Sequence, residues 1–184
     1  MRITLFDAIS ERLTQIVMVD GLPRFQPDAG QRKGRKPVIV NFDLWNENID
    51  QLTKGRIFPT PSVMMEFDPI QWQYLGKRVR RADVIVRLHV VTGTLATAEV
   101  GNKQQDKALF RFLLIRAINE ALIGFSGLND KQSFGTFRYY ESHTDHNHAK
   151  LRNDIECWQV ACIDATGVPE PEITAAQLSL RAGQ

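Results

Sequence analysis

Three of the chain's four histidines fall within six residues, His143-Thr144-Asp145-His146-Asn147-His148, beside a carboxylate. A transition metal needs about four converging ligands, with neutral imidazoles and carboxylates among them, so the composition suits a metal-dependent hydrolase centred on His143, His146 and His148. The competing reading is a turn. Asp, Asn, Ser and Thr form turns, the segment joins two expected strands, and no distant ligand stands out beyond Asp145 or Asp154. We adopt the turn reading, with no metal and no cofactor expected.

A second group is basic: Lys77-Arg78-Val79-Arg80-Arg81, and Arg32, Lys33, Arg35 and Lys36, with Trp72 and Tyr74 close to the first run. Cationic groups neutralise phosphates and aromatic rings stack on bases, so a small nucleic-acid-binding protein using segments 32–36 and 77–81 is one reading. In an extended segment, however, Lys77, Val79 and Arg81 oppose Arg78 and Arg80. That divides the charge between two faces, as at a solvated strand edge or an inter-subunit contact. Nucleophile patterns fail: Ser126 lies between Gly124 and Gly127, but Leu128 stands where G-x-S-x-G needs its second glycine. There is no P-loop and no dinucleotide fingerprint. Glu66, Asp68, Asp83, Glu141 and Asp154 sit near strand ends with no spacing that brings two together. Trp45, Trp72 and Trp158 read as core or interface anchors. With no complete catalytic constellation, a non-enzymatic chain is expected.

The elements that position these residues follow from periodicity. Phe6, Ile9, Leu13, Ile16 and Val17 predict an amphipathic helix ending near Asp20-Gly21. Residues 22–37, rich in Pro, Gly and cations, predict a mobile basic loop. Val38 to Val40 predicts a short strand and Trp45 to Leu52 a short helix. After Pro59 and Pro61, Val63, Met65 and Phe67 alternate with Ser62, Met64 and Glu66, which predicts a strand. Ile70 to Leu75 is expected to pair nearby. Ala82 to Thr92 is the clearest strand, with Val84, Val86, Leu88 and Val90 opposing Ile85, Arg87, His89 and Val91. Residues 93–105 predict a loop, and Asp106 an N-cap for a central helix over 107–123 that Gly124 and Gly127 end. Phe134 to Glu141 and Leu151 to Asp164 predict a hairpin joined by a turn over 142–150. The order predicts an α+β fold, a mainly antiparallel sheet with flanking helices, rather than a doubly wound one. Residues 1–164 form the single domain and 165–184 an extended C-terminal tail.

Composition agrees with one core-forming domain: 184 residues, 43% hydrophobic and 24% charged, with 23 Lys+Arg against 21 Asp+Glu. A net charge of +2 leaves any attraction to nucleic acid or anionic lipid to local patches. No apolar run approaches the roughly 20 residues of a membrane-spanning helix, and Asp7 interrupts what would be a signal peptide's apolar stretch. A cytoplasm-like compartment and no membrane contact are expected. Cys157 and Cys162, five apart on one strand, point to opposite faces and cannot pair, so both are expected as buried thiols.

The chain resembles the tail terminator (tail completion) proteins of long-tailed bacteriophages and prophages. The likeness rests on Phe42-Asp43-Leu44-Trp45-Asn46, on 58–67, on Ala82 to His89 and on the ending from Tyr139 to Asp164, within a layout spanning roughly residues 3–164. The basic loop is a departure from the pattern. The resemblance implies a subunit that assembles as a ring, usually of six, on the end of the tail tube and docks the head connector. It also implies virion-tail localisation after assembly in the host cytoplasm, with room for DNA contact in the ring lumen. Ring closure needs two different matching surfaces on the monomer. The expected contributors are Lys77, Arg78, Arg80, Arg81 and Arg87, with Arg32, Lys33, Arg35 and Lys36 of the loop. On this reading Arg80→Glu or Arg87→Glu weakens assembly without unfolding the monomer.

Overall fold

Apolar side chains at every fourth position, Leu5, Ile9 and Leu13, make one stripe, and helix α1 (Arg2–Leu13) buries all three. Helical spacing continues through Ile16 and Val17, but the helix does not. These β-branched residues open strand β1 (Ile16–Val19), which pairs with β2 (Leu22–Phe25). The chain reverses at Asp20-Gly21, where φ is 50° and 77°. Two left-handed residues in succession match the twist of a hairpin, and that local turn overrides the helical pattern.

The computed structural model describes residues 1–46, 59–93, 99–129, 131–145 and 151–169. The expected helix over Trp45 to Leu52 lies outside these from residue 47 onward. Most of the expected tail does too, from residue 170. The expected mobile loop over 22–37 is corrected. It begins with β2 and contains a short helix, α2 (Ala29–Arg32), whose cap Asp28 accepts a hydrogen bond from the Gly30 amide at 2.7 Å. Val38 to Val40 is not a strand of its own. The Val38 amide donates to Ile16 and the Val40 amide to Pro61, and the ladder starts only at β3 (Asn41–Leu44).

The remaining strands are β4 (Ser62–Phe67), β5 (Gln73–Gly76), β6 (Val79–Thr92), β7 (Gly127–Asn129), β8 (Gln132–Phe134), β9 (Arg138–Asp145) and β10 (Arg152–Asp164). They form one sheet in the order β3-β4-β6-β10-β8-β7, with β5 beside β6 and β9 beside β10. Pairing is antiparallel except between β3 and β4. The fold is α+β, as the element order predicts.

Helix α3 (Gln105–Leu122) begins two residues before the predicted start. Gln104 is its cap, without a side-chain bond, and Asp106 lies in the first turn, where its charge complements the helix dipole. Gly124, at φ 76°, ends the helix, but Gly127 has another task. A Cβ there would lie 2.5 Å from Cζ of Phe134, so any larger residue would force that buried ring to move. The predicted strand over 134–141 is two strands. β8 and β9 line up along the same side of β10, at opposite ends of it, and residues 142–145 extend β9 where a turn was predicted.

One face of the sheet carries the main core. Val63 and Met65 of β4, Val84, Val86, Leu88 and Val90 of β6, and Trp158, Val160 and Cys162 of β10 meet α1 and α3 there. Among the described residues, no helix is long and apolar enough to cross a membrane.

The same face holds buried carboxylates along β10. Asp154 accepts from Arg111 of α3 and from Thr144, and Glu156 accepts from the hydroxyls of Tyr139 and Ser142. Asp164, nearly inaccessible, accepts from Arg80 at 2.8 Å and from the Thr166 hydroxyl and amide. Burial alone would push the Asp164 carboxyl up, but the donors from Thr166, Arg80 and Gln132 together hold it well below the ordinary range. A folded-state pKa below the unfolded value of about 3.9 gives stability that is present at neutral pH and lost as pH falls through the acid range. Asp164→Asn is therefore expected to lower the urea midpoint at pH 7 and to flatten the loss of stability below about pH 4. Urea titrations at pH 7 and pH 3 check it; an unchanged acid slope would refute the assignment.

Candidate functional site

The opposite face of the sheet gathers the chemistry. Registers β4–β6, β6–β10 and β10–β9 place residues in rows across four strands: Glu66, Arg87, Cys157 and Glu141 in one, Met64, His89, Ile155 and His143 in the next, and Ser62, Val91, Asn153 and Asp145 beyond. Successive side chains alternate faces, so each row shares this one. From Asp145 to Glu141 the β9–β10 register is unbroken, and a bulge at the Cys157/Trp158 step ends the run. Glu141 opposes Cys157 and Tyr139 opposes Trp158, so Tyr140 is the extra residue. Tyr139 thereby turns to the core face and Glu141 to the outer one.

Within these rows Arg87 grips Asp68 through two hydrogen bonds, of 2.6 and 3.1 Å. This fork geometry raises the Arg87 pKa, chiefly through the Asp68 bond, and fixes the guanidinium. His89 is buried, with Nε2 3.2 Å from Glu66 Oε2 and Nδ1 3.2 Å from Asn153 Nδ2. Burial lowers its pKa against the opposing pull of Glu66, which favours the neutral ring. In that form Nε2–H donates to Glu66 and Nδ1 accepts from Asn153. Trp45 stacks on the imidazole at 3.8 Å and 4°, and packs with Met64, Val91 and Leu151. The convergence of Glu66 and Asp68 on β6 was not legible in the sequence, because it depends on register.

Cys157 lies in this face and Cys162 in the other, both free and buried, as the alternation predicts. Burial pushes the Cys157 thiol up to about 11, against the influence of Arg87, and Cys162 up to about 12. Neither is an activated nucleophile at neutral pH. Glu141, His143 and Cys157 bring one oxygen, one nitrogen and one sulfur atom within 4.8 Å of one another.

The histidine run weighed as a metal site is described only in part. His143 is exposed on the outer face, Asp154 faces the core, and His146 and His148 lie outside the described residues.

The structure places the expected interface residues in different surroundings. Lys77 and Arg78 are not extended. They are the two residues of the β5–β6 turn, at φ 48° and 63°, and both are exposed. Arg80 turns to the core face, where Asp164 holds it and Trp72 lies 4.5 Å beneath its guanidinium. Arg87 serves Asp68. Arg81 is exposed, 3.9 Å from Asp83. In the other segment, Arg32 donates to the carbonyls of Gln26 and Pro27 and Arg35 to that of Met18, while Lys33 and Lys36 are exposed. Arg80 and Arg87 are thus structural ligands of buried or half-buried carboxylates. Replacing either by Glu sets two acids against each other, so the loss falls on folding rather than on assembly alone.

Compared with known proteins, the chain matches no family model and no curated sequence.

Proposed function

We propose that the chain is a non-enzymatic structural subunit of a phage or prophage tail, similar to a tail terminator, which self-assembles as a ring on the tail-tube end and docks the head connector. The supporting observation is the layout. A first helix, a strand following two prolines, a long second strand, a long helix and a closing β9–β10 pairing follow in the order the resemblance implies, with both long helices on one sheet face.

Two surfaces suit the unlike contacts of a ring. One is the outer sheet face, where Leu75 and Ile163 are exposed beside Ala161. The other is the tip of the β5–β6 hairpin. Two successive long basic residues, Lys77 and Arg78, occupy left-handed backbone there, where Asn-Gly would be less strained. Strain kept at an exposed tip favours a contact role for these side chains. Nucleic-acid binding, the alternative, draws only on Lys33, Lys36, Lys77, Arg78 and Arg81, because the other arginines of the two segments serve the fold.

Light scattering on a size-exclusion column across a concentration series, with negative-stain imaging of any large peak, tests the proposal. Closed rings are expected, and Ile163→Asp combined with Lys77→Glu should shift them toward monomer while the monomer keeps its circular dichroism. A chain that stays monomeric throughout, alone and with preformed tail tubes, overturns it.

A further inference from the structure

The outer face holds one cluster that the ring does not require. We propose that Glu141 and His143 of β9 and Cys157 of β10 form a zinc site with three protein ligands and an open fourth position. Their ligand atoms lie within 4.8 Å of one another, on one sheet face. Tetrahedral zinc with bonds of about 2.0–2.3 Å holds its ligands roughly 3.4 Å apart. Closing that gap is within reach of rotation of two exposed side chains, Glu141 and His143, against a fixed sulfur.

The donor set is specific. Thiolate with imidazole selects zinc over magnesium or calcium, which take oxygen ligands. Charge also balances. One thiolate and one carboxylate neutralise a divalent cation, and the nearby Arg87 charge is already held by Asp68. Binding breaks the Cys157 S–H bond, forms the Zn–S bond and releases one proton to solvent, with no change of oxidation state. The position open to water is the arrangement of zinc sites with three protein ligands. Glu141 and His143, two residues apart on β9, share this face with Cys157 because the β9–β10 register runs unbroken from Glu141 opposite Cys157 to Asp145 opposite Asn153. The site is independent of the ring assignment.

The test uses the full chain without an affinity tag, stripped with a chelator and titrated with Zn²⁺ against a chromophoric competitor, then with Co²⁺. One ion per chain is expected, with a thiolate-to-cobalt charge-transfer band in the near ultraviolet. His143→Ala and Glu141→Gln, at exposed positions, should each weaken zinc binding by at least about tenfold. Cys157→Ser should abolish the band. No stoichiometric binding overturns the proposal. So does full-affinity binding in His143→Ala, or binding lost in the His146→Ala/His148→Ala pair but kept in Cys157→Ser, which would assign the ion to the histidine run.

Discussion

Trp158→Ala is expected to lower stability by about 3–5 kcal/mol, a large share of the roughly 5–15 kcal/mol that holds a domain folded. Trp158 is fully buried near the middle of β10, the strand that joins both halves of the sheet. It opposes Val86 on β6 and Tyr139 on β9, with the Tyr139 ring set edge-on at 5.2 Å. Truncation removes the ring's apolar burial and leaves a cavity between strands whose backbones are tied on both sides, so the walls cannot collapse into it. Trp158→Phe keeps most of the volume and should cost about half as much or less. Urea unfolding followed by circular dichroism measures both. Equal midpoints for Trp158→Ala and the parent would refute the central place given to this residue.

Arg111→Ala is expected to cost about 3–5 kcal/mol, because it strips the cation from a buried carboxylate. Asp154 is 3% exposed at the side chain and receives Arg111 Nη1 on both oxygens at 3.3 Å. Thr144 remains as a donor, but a hydroxyl does not balance the charge. The penalty belongs to the orphaned charge rather than to the bond itself. Arg111→Met combined with Asp154→Leu should therefore recover most of the loss. A double-mutant cycle on urea midpoints decides it: a double variant as unstable as Arg111→Ala would show that the pair is needed for packing rather than for charge balance.

These effects show how the interior is divided. The core face of β10 carries Asp154 and Glu156 towards one end and Asp164 at the other, with Trp158, Val160 and Cys162 between them, and each carboxylate has its own donors: α3 and β9 for Asp154, β9 for Glu156, and β6 with the turn after β10 for Asp164. A carboxylate left unpaired at any of these places costs more than a surface ion pair such as Arg116–Glu120 contributes. The strand is thus tied by charge at its two ends and by Trp158 between them.

Period-2 patterning settled much from the sequence alone. Val63 and Met65 face the core while Ser62 and Met64 do not, Val84 to Val90 alternate as expected, and the two cysteines point to opposite faces as thiols. These outcomes depend only on side-chain alternation along one strand, which is local. The α+β class followed for the same reason, since element order needs no register. Helix and strand limits were less legible where a turn competes with periodicity. Ile16 and Val17 fit the helix stripe, but Asp20-Gly21 and the pairing with Leu22 to Phe25 took them into a hairpin.

Tertiary structure alone decided which chemistry meets. Arg80 and Arg87 look alike in a basic sequence, yet both are bound by acids, one 84 residues away and one 19. The Glu66–His89–Asn153 chain and the Glu141–His143–Cys157 cluster arise from register across four strands. A single-residue shift reverses which face a side chain occupies, and strand pairing is set by the whole sheet rather than by any segment of it. The sequence therefore determined the alternation of each strand, and the folded sheet determined which of those faces meet.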